Sequence, residues 1–151
     1  HPVTEMITGV DIVKESIRVA AGEALSWKQE EIHPTGHAIE CRINAEDPSN
    51  NFMPQPGTIE TWQLPGGPGI RVESHVCAGY RIPPNYDSMI GKLIVHGRDR
   101  DEAIARMRAA LSEMKVAPIA TTIPLHQRLL DHHAFVSASF DINWVEHLLD
   151  N

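Results

Sequence analysis

In the stretch Glu40-Cys41-Arg42-Ile43-Asn44-Ala45-Glu46, four polar residues fall on one side of the chain. Glu40, Arg42, Asn44 and Glu46 alternate with Ile39, Cys41, Ile43 and Ala45. That period of two marks a half-buried strand, apolar toward a core and polar on the other side. The polar side holds an arginine bracketed by carboxylates and an amide. Such a set can do chemistry: a guanidinium held rigid is a forked cation, able to stabilise charge that develops on an oxygen during a reaction. It also has an ordinary reading, a surface arginine paired with Glu40 and worth ~0–1 kcal/mol. Periodicity alone leaves the two readings even.

The other reactive residue types are less promising. His33 and His37 are four apart, but Pro34 and Gly36 break the helix that would put them on one face. His132-His133 lie at a helix end, where a cationic ring meets the helix dipole favourably. The chain has no Cys-x-x-Cys and no His-Glu-x-x-His, so no metal site is expected. Cys41 and Cys77 sit on no helix N-terminus or nucleophile elbow, and Cys41 reads as a core thiol. Gly66-Gly67-Pro68-Gly69 is followed by no Gly-Lys-Ser/Thr and reads as a plain turn. Met114-Lys115 stands at a helix terminus, whereas a modified carrier lysine needs a hairpin tip.

The elements that must position Arg42 follow from the pattern around it. Val10, Val13, Ile17 and Ala20 or Ala21 predict an amphipathic helix stopped by Gly22. A charged connector runs from Glu23 to Thr35, and the Arg42 strand occupies about 38–45. Pro48, Ser49, Asn50 and Asn51, then Pro54, Pro56 and Gly57, make a loop. Strands are predicted over 57–64 and 70–76, joined by the turn at 65–69 as an antiparallel pair. The segment 87–96 reads as a strand buried on much of both faces, with Gly91 marking a close backbone approach. Asp99 and Glu102 resemble a capping box, and Ile104, Met107, Leu111 and Met114 then define the clearest helix. Shorter helices are predicted near 123–130 and 143–149, the last anchored by Trp144, Val145 and Leu148. Strands clustered between terminal helices, without βαβ alternation, predict an α+β fold: an antiparallel β-sheet with flanking helices.

With 42% hydrophobic and 22% charged residues in 151, the chain is expected to form one domain with a real core. A net charge of −7 argues against nonspecific nucleic-acid or anionic-membrane binding. No apolar run approaches the roughly 18 residues of a membrane span. Two cysteines in strand-like segments fit a reducing, cytoplasmic location. The opening His1-Pro2-Val3, without Met, leads us to expect a piece of a longer polypeptide.

Several blocks together resemble the C-terminal domain of biotin carboxylase: His1-Pro2-Val3-Thr4-Glu5, Gly36 through Pro48, Pro54-x-Pro56-Gly57, and Tyr86-Asp87-Ser88-Met89-Ile90-Gly91-Lys92-Leu93-Ile94. They run in family order from His1 to about His147, and the likeness is greatest to the biotin carboxylase subunit of bacterial acetyl-CoA carboxylase. The same domain occurs in propionyl-CoA, methylcrotonyl-CoA and pyruvate carboxylases. The whole of 1–151 is then one such C-terminal domain, of the rudiment single hybrid motif type, lacking the N-terminal and ATP-grasp domains.

The resemblance implies a reaction. ATP activates bicarbonate as carboxyphosphate, this yields carbon dioxide and phosphate, and the deprotonated ureido nitrogen N1 of biotin attacks the carbon dioxide. Arg42 matches the arginine that meets the anionic ureido oxygen. Glu40, Asn44 and Asp87 are expected to support the substrate pocket, with Asp87 orienting Arg42 or closing the site. Ile142 matches an apolar wall of the adenine pocket, and Arg71 a residue near the two-fold interface of dimeric members. ATP and magnesium or manganese are implied for the full enzyme, held mainly by the preceding domains. Biotin is implied as a carried substrate, and this chain is expected to hold no metal. Biotin carboxyl carrier protein, carboxyltransferase subunits and a second copy in a homodimer are the implied partners, in fatty acid biosynthesis. The isolated piece is expected to be inactive. A non-catalytic lid or dimerisation module stands as the alternative.

Overall fold

The computed structural model describes residues 1–149. It opens with two helices, α1 (Pro2–Thr8) and α2 (Ile12–Ala20). A strand-rich middle contains β1 (His37–Asn44), β2 (Glu46–Asp47), β3 (Met53–Pro54), β4 (Gly57–Thr58), β5 (Thr61–Gln63), β6 (Ile70–Glu73), β7 (Arg81–Ile82) and β8 (Met89–Gly97). Then come α3 (Arg100–Glu113), β9 (Lys115–Ala117), α4 (Ile123–Asp131), α5 (His133–Val136) and α6 (Trp144–Leu149). Strand pairing among the described residues is antiparallel throughout, and the α+β expectation holds.

The central sheet has the order β1-β8-β6. Residues directly opposite in an antiparallel sheet share a face. Ile39, Cys41 and Ile43 of β1 therefore lie beside Val95, Leu93 and Gly91 of β8, with Ile70 and Val72 of β6 beyond. This face is covered by α3, whose Ala103, Ile104, Met107, Ala110 and Leu111 are buried against it. Ile94 points to the opposite face and is fully buried as well, because α1 packs there on β1 and β8. Central β8 is thus buried on its core side by α3 and, at Ile94, on its second side by α1, while Lys92 and His96 keep that side polar elsewhere. Gly91 is a close approach as expected, since a Cβ there would sit 3.3 Å from the Glu73 carbonyl and 3.6 Å from the Trp62 ring.

The predicted hairpin across residues 65–69 does not form. β5 pairs with β9, the short β4 pairs with β7, and β6 pairs with β8. The strand predicted over 57–64 is broken at Ile59-Glu60, and the one predicted over 70–76 ends at Glu73. Alternation specifies which side of a strand is apolar but not which strand lies next to it. Here Trp62 and Val116 pack on the core from one edge while Ile70 and Val72 pack on it from the other.

Helix ends also differ in detail. Asp99 caps α3 by accepting the Glu102 N–H at 2.9 Å, but the Glu102 carboxylate takes the N–H of Arg98 instead of completing the box. Met114 is the C-cap of α3 rather than part of it. α2 starts at its cap, Asp11, which accepts the Lys14 N–H at 2.9 Å, and its apolar stripe faces outward: Val13 is 64% and Ile17 66% exposed. His132 ends α4 and caps α5, a helix the periodicity did not show, by accepting the Ala134 N–H. Trp144 anchors α6 as predicted, against His132, Phe135 and Phe140.

A tight seam lies where β8 hands over to α3. A Cβ on Gly97 would stand 2.6 Å from the backbone nitrogen of Ala103, so backbone rather than a movable side chain would have to shift. Gly97→Ala is expected to destabilise the fold by ~1–3 kcal/mol, read as a lower midpoint in urea unfolding.

Candidate functional site

The polar face of the sheet is organised in rows. Arg42, Lys92 and Glu73 form one row across β1, β8 and β6; Glu40, Ile94 and Arg71 form the next. The second row lies toward α1, whose Glu5 accepts from Arg71 Nη2 at 2.6 Å. Arg71 also contacts Glu73. The first row stays open: the Arg42 side chain is 70% exposed, and its carboxylate partner among the described residues is Glu40, with Nε and Oε1 3.6 Å apart.

A second cation directly opposite Arg42 was not foreseen. Like charges placed opposite one another across a sheet are destabilising. Arg42 and Lys92 also form the closer kind of pair, since the Arg42 carbonyl bonds α4 on the outer edge of β1 rather than β8. Glu73 stands opposite Lys92 on its other side but is paired with Arg71, so the two adjacent cations leave an open face suited to an anion, which relieves the repulsion. No local signal in the sequence could have found Lys92; it lies 50 residues from Arg42, and only the strand register brings them together.

The remaining predicted residues divide. Asn44 donates from Nδ2 to Glu46 Oε1 at 3.2 Å and toward Ser88 Oγ at 3.3 Å, and Ser88 itself donates to Glu46. Glu46, expected to bracket Arg42, is spent in this knot. Asn44 Oδ1 is buried and has no hydrogen-bond partner among the described residues. Asp87 accepts the Met89 N–H at 2.7 Å and so shapes the entry to β8; no ion pair joins it to Arg42 among the described residues. Arg71 is one row away from Arg42, between Glu5 and Glu73. Ile142 lies in the loop between α5 and α6, 96% exposed and outside this face.

The electrostatics follow the geometry. The hydrogen bond from Arg71 holds the Glu5 carboxyl below its ordinary value, against the opposing effect of burial. Burial pushes the Cys41 thiol up to about 12, so it stays protonated as a core group. Burial lowers His126, against the raising effect of the hydrogen bond that its Nε2 donates to the Arg42 carbonyl. Among the described residues, no cluster of three His, Cys, Asp or Glu side chains is placed to hold a metal ion, and no helix is long and apolar enough to cross a membrane.

Comparison with known proteins adds an independent line. Residues 40–147 match the sequence model of the biotin carboxylase C-terminal domain, and residues 1–28 match that of the carbamoyl-phosphate synthase L chain ATP-binding domain. The chain is 58% identical to biotin carboxylase 1 of Bacillus subtilis over 97% of its own length and 32% of the relative's. It is 54% identical to one of the subunits of pyruvate carboxylase from Methanothermobacter thermautotrophicus, covering 97% of this chain and 30% of that one. Its structure superposes with a TM-score of 0.94 on the biotin carboxylase domain dimer of Hydrogenobacter thermophilus 2-oxoglutarate carboxylase, in complex with MgADP, ADP and bicarbonate. That match is 50% identical and covers 100% of this chain and 34% of the other. The chain thus spans about a third of the length of the proteins it matches.

The Glu5–Arg71 contact joins the burial of Ile94 in tying α1 to the sheet beside the open row. Because the Glu5 carboxyl is depressed in the folded state, the stability it contributes is present above the unfolded value of about 4.3. That contribution disappears as pH falls through the lowered folded value. Glu5→Gln is expected to destabilise the protein by ~1–3 kcal/mol at pH 7. In urea unfolding at a series of pH values, the variant should lose less stability than the parent on going below about pH 4.3.

Proposed function

The chain belongs to the biotin carboxylase C-terminal domain family, and from that premise we propose that it forms the C-terminal part of a biotin carboxylase. The proposed reaction uses ATP and bicarbonate to carboxylate N1 of biotin carried on a biotin carboxyl carrier protein. Within it, Arg42 stabilises the ureido oxygen as that oxygen becomes anionic. The observation that carries this reading is the open row in which Arg42 and Lys92 face each other without a shared carboxylate between them.

An unperturbed ureido nitrogen is a very weak acid, so charge appears on the oxygen only as the proton leaves. A fixed cation at that oxygen is more strongly engaged in the transition state than in the ground state, which is the condition for acceleration. The loose contact with Glu40 keeps the Arg42 fork near the face without neutralising it. Lys92 raises the positive potential on that row. Asn44 supports the pocket from the end of β1, where its amide joins the Glu46–Ser88 knot. Glu40 and Asp87 complete its support, one beside Arg42 and the other by holding the start of β8.

ATP and magnesium, or manganese, are assigned to the ATP-binding domain whose sequence model the first 28 residues match; Ile142 is a candidate wall of its adenine pocket. Residues 1–151 then form one C-terminal domain whose opening helices lead out of the ATP-binding part. A homodimer is supported by the dimeric Hydrogenobacter domain, and Arg71 is proposed as a residue near its two-fold axis. The free cysteines fit cytoplasmic work. Acetyl-CoA carboxylase, with its carboxyltransferase subunits and a role in fatty acid synthesis, is the preferred parent. The similar identity to a pyruvate carboxylase component fits a domain that does not itself choose the acceptor.

Two measurements test this. In the full-length enzyme, Arg42→Gln should cut the rate of biotin carboxylation by ~10²–10³-fold while ATP binding persists. Arg42→Lys should also fail, because a point charge cannot reproduce the fork. Near-normal turnover in either variant with an intact dimer would favour the lid or dimerisation reading instead. The 151-residue chain alone is expected to show no bicarbonate-dependent ATP hydrolysis.

A further inference from the structure

Strand β1 is an edge of the central sheet, so alternate residues present backbone groups away from β8. Arg42 and Asn44 are two such residues, and the first turn of α4 meets both. The Thr122 N–H donates to the Asn44 carbonyl at 3.1 Å. The Thr122 hydroxyl accepts the Asn44 N–H at 3.0 Å and donates to the Arg42 carbonyl at 3.1 Å. One helical turn on, His126 Nε2 donates to the same carbonyl at 2.8 Å. The arginine whose side chain is most exposed on β1 is therefore held at its root by two side chains from another element.

Thr122 is the N-cap of α4, a position where a threonine hydroxyl ordinarily accepts an N–H of the first helical turn. Its side chain makes no such bond; the neighbouring Thr121 hydroxyl accepts from Ile123 instead, at 3.4 Å. The hydroxyl has been diverted from its own helix to the strand. A carbonyl oxygen can only accept, so the contact places a hydrogen on His126 Nε2.

We propose that Thr122 and His126 are positioning residues for the biotin carboxylation step, forming a clasp that fixes the Arg42 backbone and with it the reach of the guanidinium. The proposal rests on the role given to Arg42 above. Among the described residues the guanidinium has one carboxylate contact, the loose one from Nε to Glu40, so the clasp sets where the side chain starts and how far the fork can travel. A displacement of about 1 Å at a reacting group can cost ~10²-fold in rate.

The test uses the full-length carboxylase and compares biotin carboxylation with bicarbonate-dependent ATP hydrolysis measured without biotin, each per folded molecule. His126→Ala and Thr122→Val are expected to lower the first activity relative to the second by ~10–100-fold, with KM for ATP unchanged. His126→Gln and Thr122→Ser, which retain a donor at Nε2 and a hydroxyl, should recover most of the loss. Equal loss of both activities, or no loss in either, would overturn the clasp. Should His126→Ala not fold, Thr122→Val carries the same comparison. Arg42→Gln is the control: an unchanged ratio there refutes the role of Arg42 itself, whereas a low ratio there with a normal one in His126→Ala refutes only the clasp.

Discussion

The antiparallel pairing of β1 with β8 is the constraint on which this molecule depends, because one register sets both of its faces. Sliding β1 by a single residue would turn Ile39, Cys41 and Ile43 out to solvent and drive Glu40, Arg42 and Asn44 into the core. Burial of that apolar row against α3 is what holds the register. The same register then places Arg42 opposite Lys92 and leaves their row open. The position of the cations is therefore a by-product of core packing on the other side of the sheet, which gives it the rigidity of a core.

The two covering helices differ in what they do. α3 seals one face with aliphatic side chains and small residues, while its arginines Arg106 and Arg108 donate to the His96 and Leu130 carbonyls around that seal. α1 covers part of the polar face, so it brings a charge with it: Glu5 meets Arg71, and the row containing Ile94 is closed off. α4 treats the sheet edge in a third way, satisfying outward-pointing backbone groups of Arg42 and Asn44 with a threonine and a histidine. Helix, edge and face together leave the Arg42–Lys92 row open, and the proposed chemistry uses that row.

Where sequence reasoning went astray, the missing information was non-local. The glycine- and proline-rich turn at 65–69 is real, but its flanking strands find partners far along the chain: β5 with β9 and β6 with β8. The outward stripe of α2 shows the same limit. Val13 and Ile17 have helical spacing, and spacing says that such residues share a face without saying what covers it. Glu46 seemed to bracket Arg42 by alternation, yet the reach of Ser88 and Asn44 claims its carboxylate first.

Residue pattern by itself determined the strand at Arg42, the two-sided burial of β8, the long α3, the α+β class and the kinship with biotin carboxylases. Each of these depends on neighbours along the chain or on uninterrupted blocks of residue types. Only the tertiary structure decided that Lys92 faces Arg42, that Asn44 Oδ1 is left unpartnered among the described residues, and that Thr122 and His126 hold the Arg42 backbone. The physical reason is that a side chain's period tells which way it points, whereas its partner is chosen by whichever distant segment the buried apolar faces bring alongside it.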